Sequence, residues 1–310
     1  MTLQTPVKLP YFCNSAGLPG PLPTPDEIQD ASRRHGWGSS GGVCVIRGIF
    51  LVKYGVKVTE NEGNALLFVE EHLNISAPRL YAMYHDPHSK VLHLVMEYIQ
   101  GVDMESLWKT LSVEAKSSIA SQLRPMFTQI RSINPPPDFI GGVCGGGLPD
   151  PVFGTMSPDN NINGPFKTDE EFSSALALAL RNNWEQNGRY GWLSGYLSRH
   201  VPTALKGYRV TLTHGDLHMR NILVEKVPSF SGSSVTGVGE EGTGQHWSYQ
   251  VKGIVDWESA GWYPAYWEYA SAVARFQSED DWLESLDTII KPYPQEASII
   301  LLVLQGLQFI

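Results

Sequence analysis

Cysteine is scarce: Cys13, Cys44 and Cys144 are the only three in 310 residues. Their scatter excludes a disulfide framework and offers no zinc-ligand spacing, so a reducing, cytoplasmic setting is expected. Basic charge is also in deficit. Lys and Arg number 23 against 32 Asp and Glu, for a formal net charge of −9. A binder of nucleic-acid backbones carries a basic face, so no nucleic-acid partner is expected. Long apolar runs are missing as well. The opening MTLQTPVKLPYF has no apolar stretch behind a basic start, so no signal peptide is expected. The most apolar run, Ile299 to Ile310, is broken by Gln305, Gly306 and Gln308. A helix crossing a bilayer needs about 20 apolar residues, so this run is expected to be a core helix and no membrane partner is expected.

What is present, 42% apolar residues against 18% charged, suits a globular chain with a sizeable core. Residues 1–23 are rich in Pro and Gly and read as an irregular arm. Thr24, Pro25 and Glu27 then spell a helix start: an N-cap, a proline at the first helical position, and a glutamate closing a capping box. Residues 1–36 thus form an arm and helix. A Gly/Ser stretch, Gly36 to Gly42, feeds two β-like runs, Val43 to Ile46 and Ile49 to Tyr54, split by Arg47-Gly48. A helix from Glu60 to Leu73 and strands near Arg79 to Tyr84 and Val91 to Glu97 complete a β-rich portion, residues 37–99. From 100 to 310 the helical period dominates. Ile119, Leu123, Met126, Ile130 and Ile133 mark one helix face, with Pro125 inside the helix, and a second capped helix starts at Thr168. The stretch Ser229 to Gln245 is almost all Gly, Ser, Thr and Glu and reads as a mobile insertion. The fold class expected is α+β, with a small β-rich lobe, a larger mostly helical lobe and a cleft between them.

The most informative run is Thr211-Leu-Thr-His-Gly-Asp-Leu-His-Met-Arg-Asn-Ile-Leu-Val224. A strand-like piece leads into His214-Gly215-Asp216, and Asn221 follows five positions after the aspartate. Later, Ile254-Val255-Asp256-Trp257-Glu258 places another acid at a strand end. Two acids and an amide converging at strand ends suit phosphoryl transfer: one carboxylate orients a hydroxyl, while Asn and Asp offer hard oxygens to Mg²⁺. The plain alternative is a polar turn in which Asp216 and Asn221 cap backbone groups.

These residues resemble the catalytic and metal-binding loops of the protein-kinase-like fold, in the His-Gly-Asp version of the aminoglycoside and choline phosphotransferases. Gly261-Trp-Tyr-Pro-Ala-Tyr-Trp-Glu-Tyr269 and Val95-Met-Glu-Tyr98 fit the same group, in the branch common in filamentous fungi. The resemblance covers roughly residues 40 to 300. It implies a two-lobed fold, ATP and Mg²⁺ as cofactors, Asp216 as catalytic base, and Asn221 and Asp256 as magnesium ligands. It also implies that His214 mainly supports its loop; His218 could face the cleft.

Lys53, on a strand, is the natural phosphate-holding lysine. On a helical wheel Glu62 falls amid the inward stripe of Ala65, Leu66, Val69 and Leu73, whereas Glu60 and Glu71 face water. An inward acid needs a cation, so Glu62 is expected to pair with Lys53; the competing reading is a capping box with Thr59. Lys57 is expected to be solvated. Ser39, Ser40, Gly41 and Gly42 are candidate phosphate donors, although the Gly-x-Gly-x-x-Gly pattern is absent. Glu97, Tyr98 and Ile99 form the connector expected to meet the adenine.

The expected function is ATP- and Mg²⁺-dependent transfer to a hydroxylated small molecule. The rivals are a pseudokinase or binding module on the same fold, a cyclase or lyase of secondary metabolism on the same scaffold and, with less support, a protein kinase. Acceptor identity and oligomeric state are not legible here.

Overall fold

The first third of the chain builds an antiparallel sheet whose central strands are buried on both faces. Its strands are β1 (Tyr11–Phe12), β2 (Gly41–Ile46), β3 (Phe50–Gly55), β4 (Leu80–His85) and β5 (Leu92–Glu97), in the order β1-β4-β5-β3-β2. Helices α1 (Pro25–Arg34) and α2 (Glu60–His72) cover its two faces. This computed structural model describes residues 2–34, 41–153, 160–188, 192–228, 247–275 and 280–307. Ser39 and Ser40, residues 229–245 and Phe276 to Glu279 lie outside that set.

One face of the sheet packs Cys44, Ile46, Phe50, Val52, Tyr54 and Val95 with Ile28 and Ala31 of α1. The other packs Leu80, Met83, Leu94 and Met96 with Ala65, Leu66 and Val69 of α2. Period-2 alternation sends neighbouring side chains to opposite faces, so Lys53 stands on the α2 side and Tyr54 on the α1 side. The β2–β3 hairpin turns at Arg47 (φ 54°) and Gly48 (φ 67°). Two consecutive positive φ angles make a turn whose twist matches the strands, and glycine meets that demand without strain.

The irregular arm expected for residues 1–23 needs correction. Tyr11 and Phe12 pair with Met83 and Ala82, making β1 an edge of the sheet despite its Pro-rich flanks. A two-residue strand leaves no periodic signature. The capping box at the start of α1 forms in full: the Glu27 N–H donates to Thr24 Oγ1 (3.3 Å) and the Thr24 N–H to a Glu27 carboxylate oxygen (2.9 Å). Thr24→Ala is expected to cost about 0.5–2 kcal/mol in urea unfolding.

The rest of the chain comprises β6 (Val102–Asp103), α3 (Met104–Trp108), α4 (Val113–Ser132), β7 (Gly141–Gly142), α5 (Asn160–Asn163), α6 (Asp169–Gln186), α7 (Trp192–Ala204), β8 (Val210–Thr213), β9 (Ile222–Pro228), β10 (Trp247–Ile254), β11 (Gly261–Pro264), α8 (Trp267–Arg275), α9 (Trp282–Ile289) and α10 (Pro294–Leu307). Two three-stranded sheets, β10-β9-β6 and β7-β11-β8, are set among the helices. Helix α10 takes up most of the apolar run and buries Ile300, Val303, Leu304 and Leu307. Among the described residues no helix is long and apolar enough to cross a membrane.

Candidate functional site

The β9–β10 hairpin erases the sequence distance between two of the candidate residues. Ile222 pairs with Ile254, and the Val255 N–H donates to the Asn221 carbonyl (2.9 Å), so Asn221 and Asp256 emerge side by side. Pro228 pairs with Trp247 at the far end of the hairpin. Asp256 has φ 65° and ψ 62°. Left-handed backbone is uncommon outside glycine but tolerated by Asp, and such conformations concentrate at functional sites.

Three carboxylates converge on one ammonium. Lys53 Nζ lies 2.8 Å from Glu62 Oε2, 2.7 Å from Asp256 Oδ1 and 2.7 Å from Glu258 Oε2. Glu62 therefore pairs with the lysine, and Thr59 caps α2 without a side-chain bond. The Glu62 side chain is 3% exposed, against 37% for Asp256 and 47% for Glu258. Burial opposes the charge on Lys53, but Glu62, Asp256 and Glu258 outweigh it and hold the ammonium well above its usual range. Burial pushes Glu62 up to about 7 against the pull of Lys53. Asn61, one residue before Glu62, ties α2 to the same loop by donating to the carbonyls of Glu258 (3.0 Å) and Ala260 (2.9 Å).

Asp216 is braced by Asn221. The Asn221 Nδ2 donates to the Asp216 carbonyl (2.9 Å) and to Asp216 Oδ2 (2.8 Å), which leaves Asn221 Oδ1 as the atom to face a ligand. His214 is wholly buried and joins the two loops. Its Nδ1 accepts from the Asp216 N–H (3.3 Å), so the proton resides on Nε2, which donates to the Val255 carbonyl (3.0 Å). His218 is 6% exposed; its Nδ1 accepts from the Arg220 N–H, and its Nε2 lies 3.4 Å from Glu105. Burial and then Arg220 lower its pKa.

Helix α8 grips the loop from behind. Glu268 accepts from the N–H groups of His214 (2.7 Å) and Gly215 (3.2 Å), while Arg275 donates to the Gly215 carbonyl (3.1 Å) and pairs with the fully buried Asp150. Gly215 has φ 85°, and a Cβ there would lie 2.5 Å from the Ser259 carbonyl, so only glycine fits. Burial raises the Glu268 carboxyl, although His214, Arg131 and these two amides hold it back. Glu268→Gln puts an NH₂ against one amide and is expected to cost about 1–3 kcal/mol in urea unfolding.

A cavity of about 310 Å³ opens beside this cluster. Lys53, Glu62, Asn221 and Asp256 line one end; Glu97, Tyr98 and Ile99 line the connector side. Val43, Leu51 and Met96 from the sheet and Leu223 and Val255 from the hairpin supply apolar walls. Gly41 and Gly42 do not join them. They open strand β2, paired with Gly55 and Tyr54, and Val43 is the residue of that segment that reaches the cavity. Sequence reasoning gave no role to Asn61, Asp150, Glu258, Glu268 or Arg275. Glu258 and Glu268 fall inside the motifs singled out above, so a search for inward acids there would have found them. Asp150 and Arg275 left no signal, since the two are 125 residues apart.

No protein-family sequence model matches the chain, and no curated protein sequence matches it. Similarity appears in three dimensions. The aminoglycoside phosphotransferase APH(4)-Ia, solved as a thermostable mutant with ADP and hygromycin B, aligns over 91% of this chain and 88% of its own, with a TM-score of 0.53 and 12% identity. ADP-bound APH(2'')-Ib aligns over 91% and 86%, with a TM-score of 0.52 and 13% identity. APH(2'')-IIIa with GDP and kanamycin aligns over 88% and 80%, with a TM-score of 0.52 and 14% identity. The chain has the two-lobed, protein-kinase-like α+β fold of the aminoglycoside phosphotransferases.

Proposed function

We propose that this protein transfers the γ-phosphoryl group of ATP to a hydroxyl of a small molecule, with Mg²⁺. The observation that supports this most is the meeting of Lys53 from the sheet with Asp256 from the hairpin, 2.7 Å apart at one end of a cavity that Asn221 also lines. Two features fit these groups. Three carboxylates around one ammonium leave an excess of negative charge, which suits a divalent cation, and the apolar side chains that line the cavity suit a purine. Asn221 and Asp256 would hold Mg²⁺, which supplies charge neutralisation across the phosphates.

Lys53, held in place by Glu62, contacts the α/β-phosphates. The connector Glu97 to Ile99 borders the base. Asp216, fixed by Asn221 and by the grip of α8 on Gly215, orients the acceptor hydroxyl and takes its proton. Positioning and charge complementarity supply the rate, as a loose transition state demands. Neighbours of this fold were solved with gentamicin, kanamycin and hygromycin B, which supports a hydroxylated small-molecule acceptor.

An ADP-release screen over hydroxylated small molecules, paired with thermal unfolding in MgATP, tests the reading. Acceptor-dependent ADP release is the expected result. Absence of both nucleotide stabilisation and ADP release overturns it and favours chemistry without nucleotide on this scaffold. A nucleotide-binding module is the second reading, motivated by the missing Gly-x-Gly-x-x-Gly pattern; it predicts stabilisation without turnover.

A further inference from the structure

Three carboxylates claim the ammonium of Lys53. A lysine ammonium has three hydrogens to donate, and Glu62 Oε2 (2.8 Å), Asp256 Oδ1 (2.7 Å) and Glu258 Oε2 (2.7 Å) all stand at its Nζ. A phosphate oxygen reaches this ammonium only by displacing one of them.

The three differ in their freedom to leave. Glu62 is 3% exposed and sits on α2, whose Ala65, Leu66 and Val69 are packed in the core. Asp256 has a short side chain on a left-handed residue, next to Val255, whose N–H is tied to the Asn221 carbonyl. Glu258 is 47% exposed. Its backbone is fixed, because Asn61 Nδ2 donates to its carbonyl (3.0 Å) and both of its neighbours, Trp257 and Ser259, are buried. Its side chain has one more torsion than that of aspartate and can turn into water without moving the main chain. Charge points the same way. A carboxylate that stays on Lys53 also repels an approaching triphosphate, so the exposed one is the one to go.

We infer that Glu258 is a placeholder for phosphate: its carboxylate holds Lys53 until a nucleotide displaces it, and it thereby lowers the affinity of the site. Glu62 and Asp256 keep their places when Glu258 turns away. This role rests on the reading of the cavity as a nucleotide site. The alternative for Glu258 is a cation ligand, since carboxylate oxygens of Glu62, Asp256 and Glu258 lie within 4.8 Å of one another. The two roles differ in sign. Removing a cation ligand weakens MgATP binding, whereas removing a competitor strengthens ATP binding with or without metal.

Calorimetric titration of ATP, in EDTA and again with Mg²⁺, into the full-length wild type, Glu258→Gln and Glu258→Ala provides the test. Binding of MgATP to the wild type checks the nucleotide reading by itself. Both variants are expected to bind metal-free ATP about threefold or more tighter than the wild type, a modest gain because water screens a half-exposed carboxylate. They should bind MgATP at least as tightly as the wild type does. Neither substitution touches the backbone carbonyl that Asn61 holds, so thermal unfolding midpoints should stay close to that of the wild type. Loss of MgATP affinity in the variants would make Glu258 a cation ligand and overturn the inference. So would equal affinity of all three proteins for metal-free ATP. If the wild type binds ATP in neither buffer, the nucleotide reading falls and the placeholder role falls with it.

Discussion

Asp216→Asn is expected to lower turnover by about 10²- to 10⁴-fold, with the urea unfolding midpoint close to that of the wild type. The two side chains have the same shape, and the Asn221 Nδ2 can still donate to a carboxamide oxygen at position 216 and to the unchanged carbonyl. The grip of α8 on His214 and Gly215 is through backbone and is untouched by the change. Only the proton-accepting capacity is lost. The variant should therefore still be stabilised by MgATP while releasing ADP slowly. Wild-type turnover in the variant would remove Asp216 from the chemistry.

Lys53→Met acts on binding and on stability together. It removes the ammonium from three carboxylates, so stabilisation by MgATP should disappear from thermal unfolding curves. The nucleotide-free protein should also weaken. Asp256 and Glu258 are more than a third exposed, and water screens them, so the loss centres on buried Glu62. Stranding one partner of a buried pair costs about 3–5 kcal/mol, less whatever Glu62 recovers by taking up a proton. The pH dependence has a definite sign. With lysine present, burial already pushes Glu62 up to about 7, and without it the rise is greater. An acid whose folded pKa lies above its unfolded value binds more protons in the folded state, so stability falls as pH rises from the unfolded value through the folded one. Urea unfolding at pH 5 and pH 8 should show a larger deficit at pH 8.

Local pattern was a good guide wherever one chain segment decides its own fate. The capping box at Thr24 and Glu27, the Arg47-Gly48 hairpin turn and the helix Val113–Ser132 follow from short-range rules, and all three occur as expected. The inward phase of Glu62 on α2 was also legible, because a helical wheel is local geometry. Strand β1 was not, since two residues acquire their structure only by pairing with Met83 and Ala82 on β4.

From sequence come the identities of the groups able to do chemistry, an amine, two carboxylates and an amide, together with the elements that bear them. Their meeting is a property of the folded chain. Hairpin register sets Asn221 beside Asp256, sheet alternation turns Lys53 toward α2, and helix α8 closes on Gly215 from more than 50 residues away. The same folding added Glu258 to the lysine cluster and joined Asp150 to Arg275. Propensity and periodicity act over a few residues, whereas contacts between distant segments depend on how whole layers pack, and no local pattern encodes that distance.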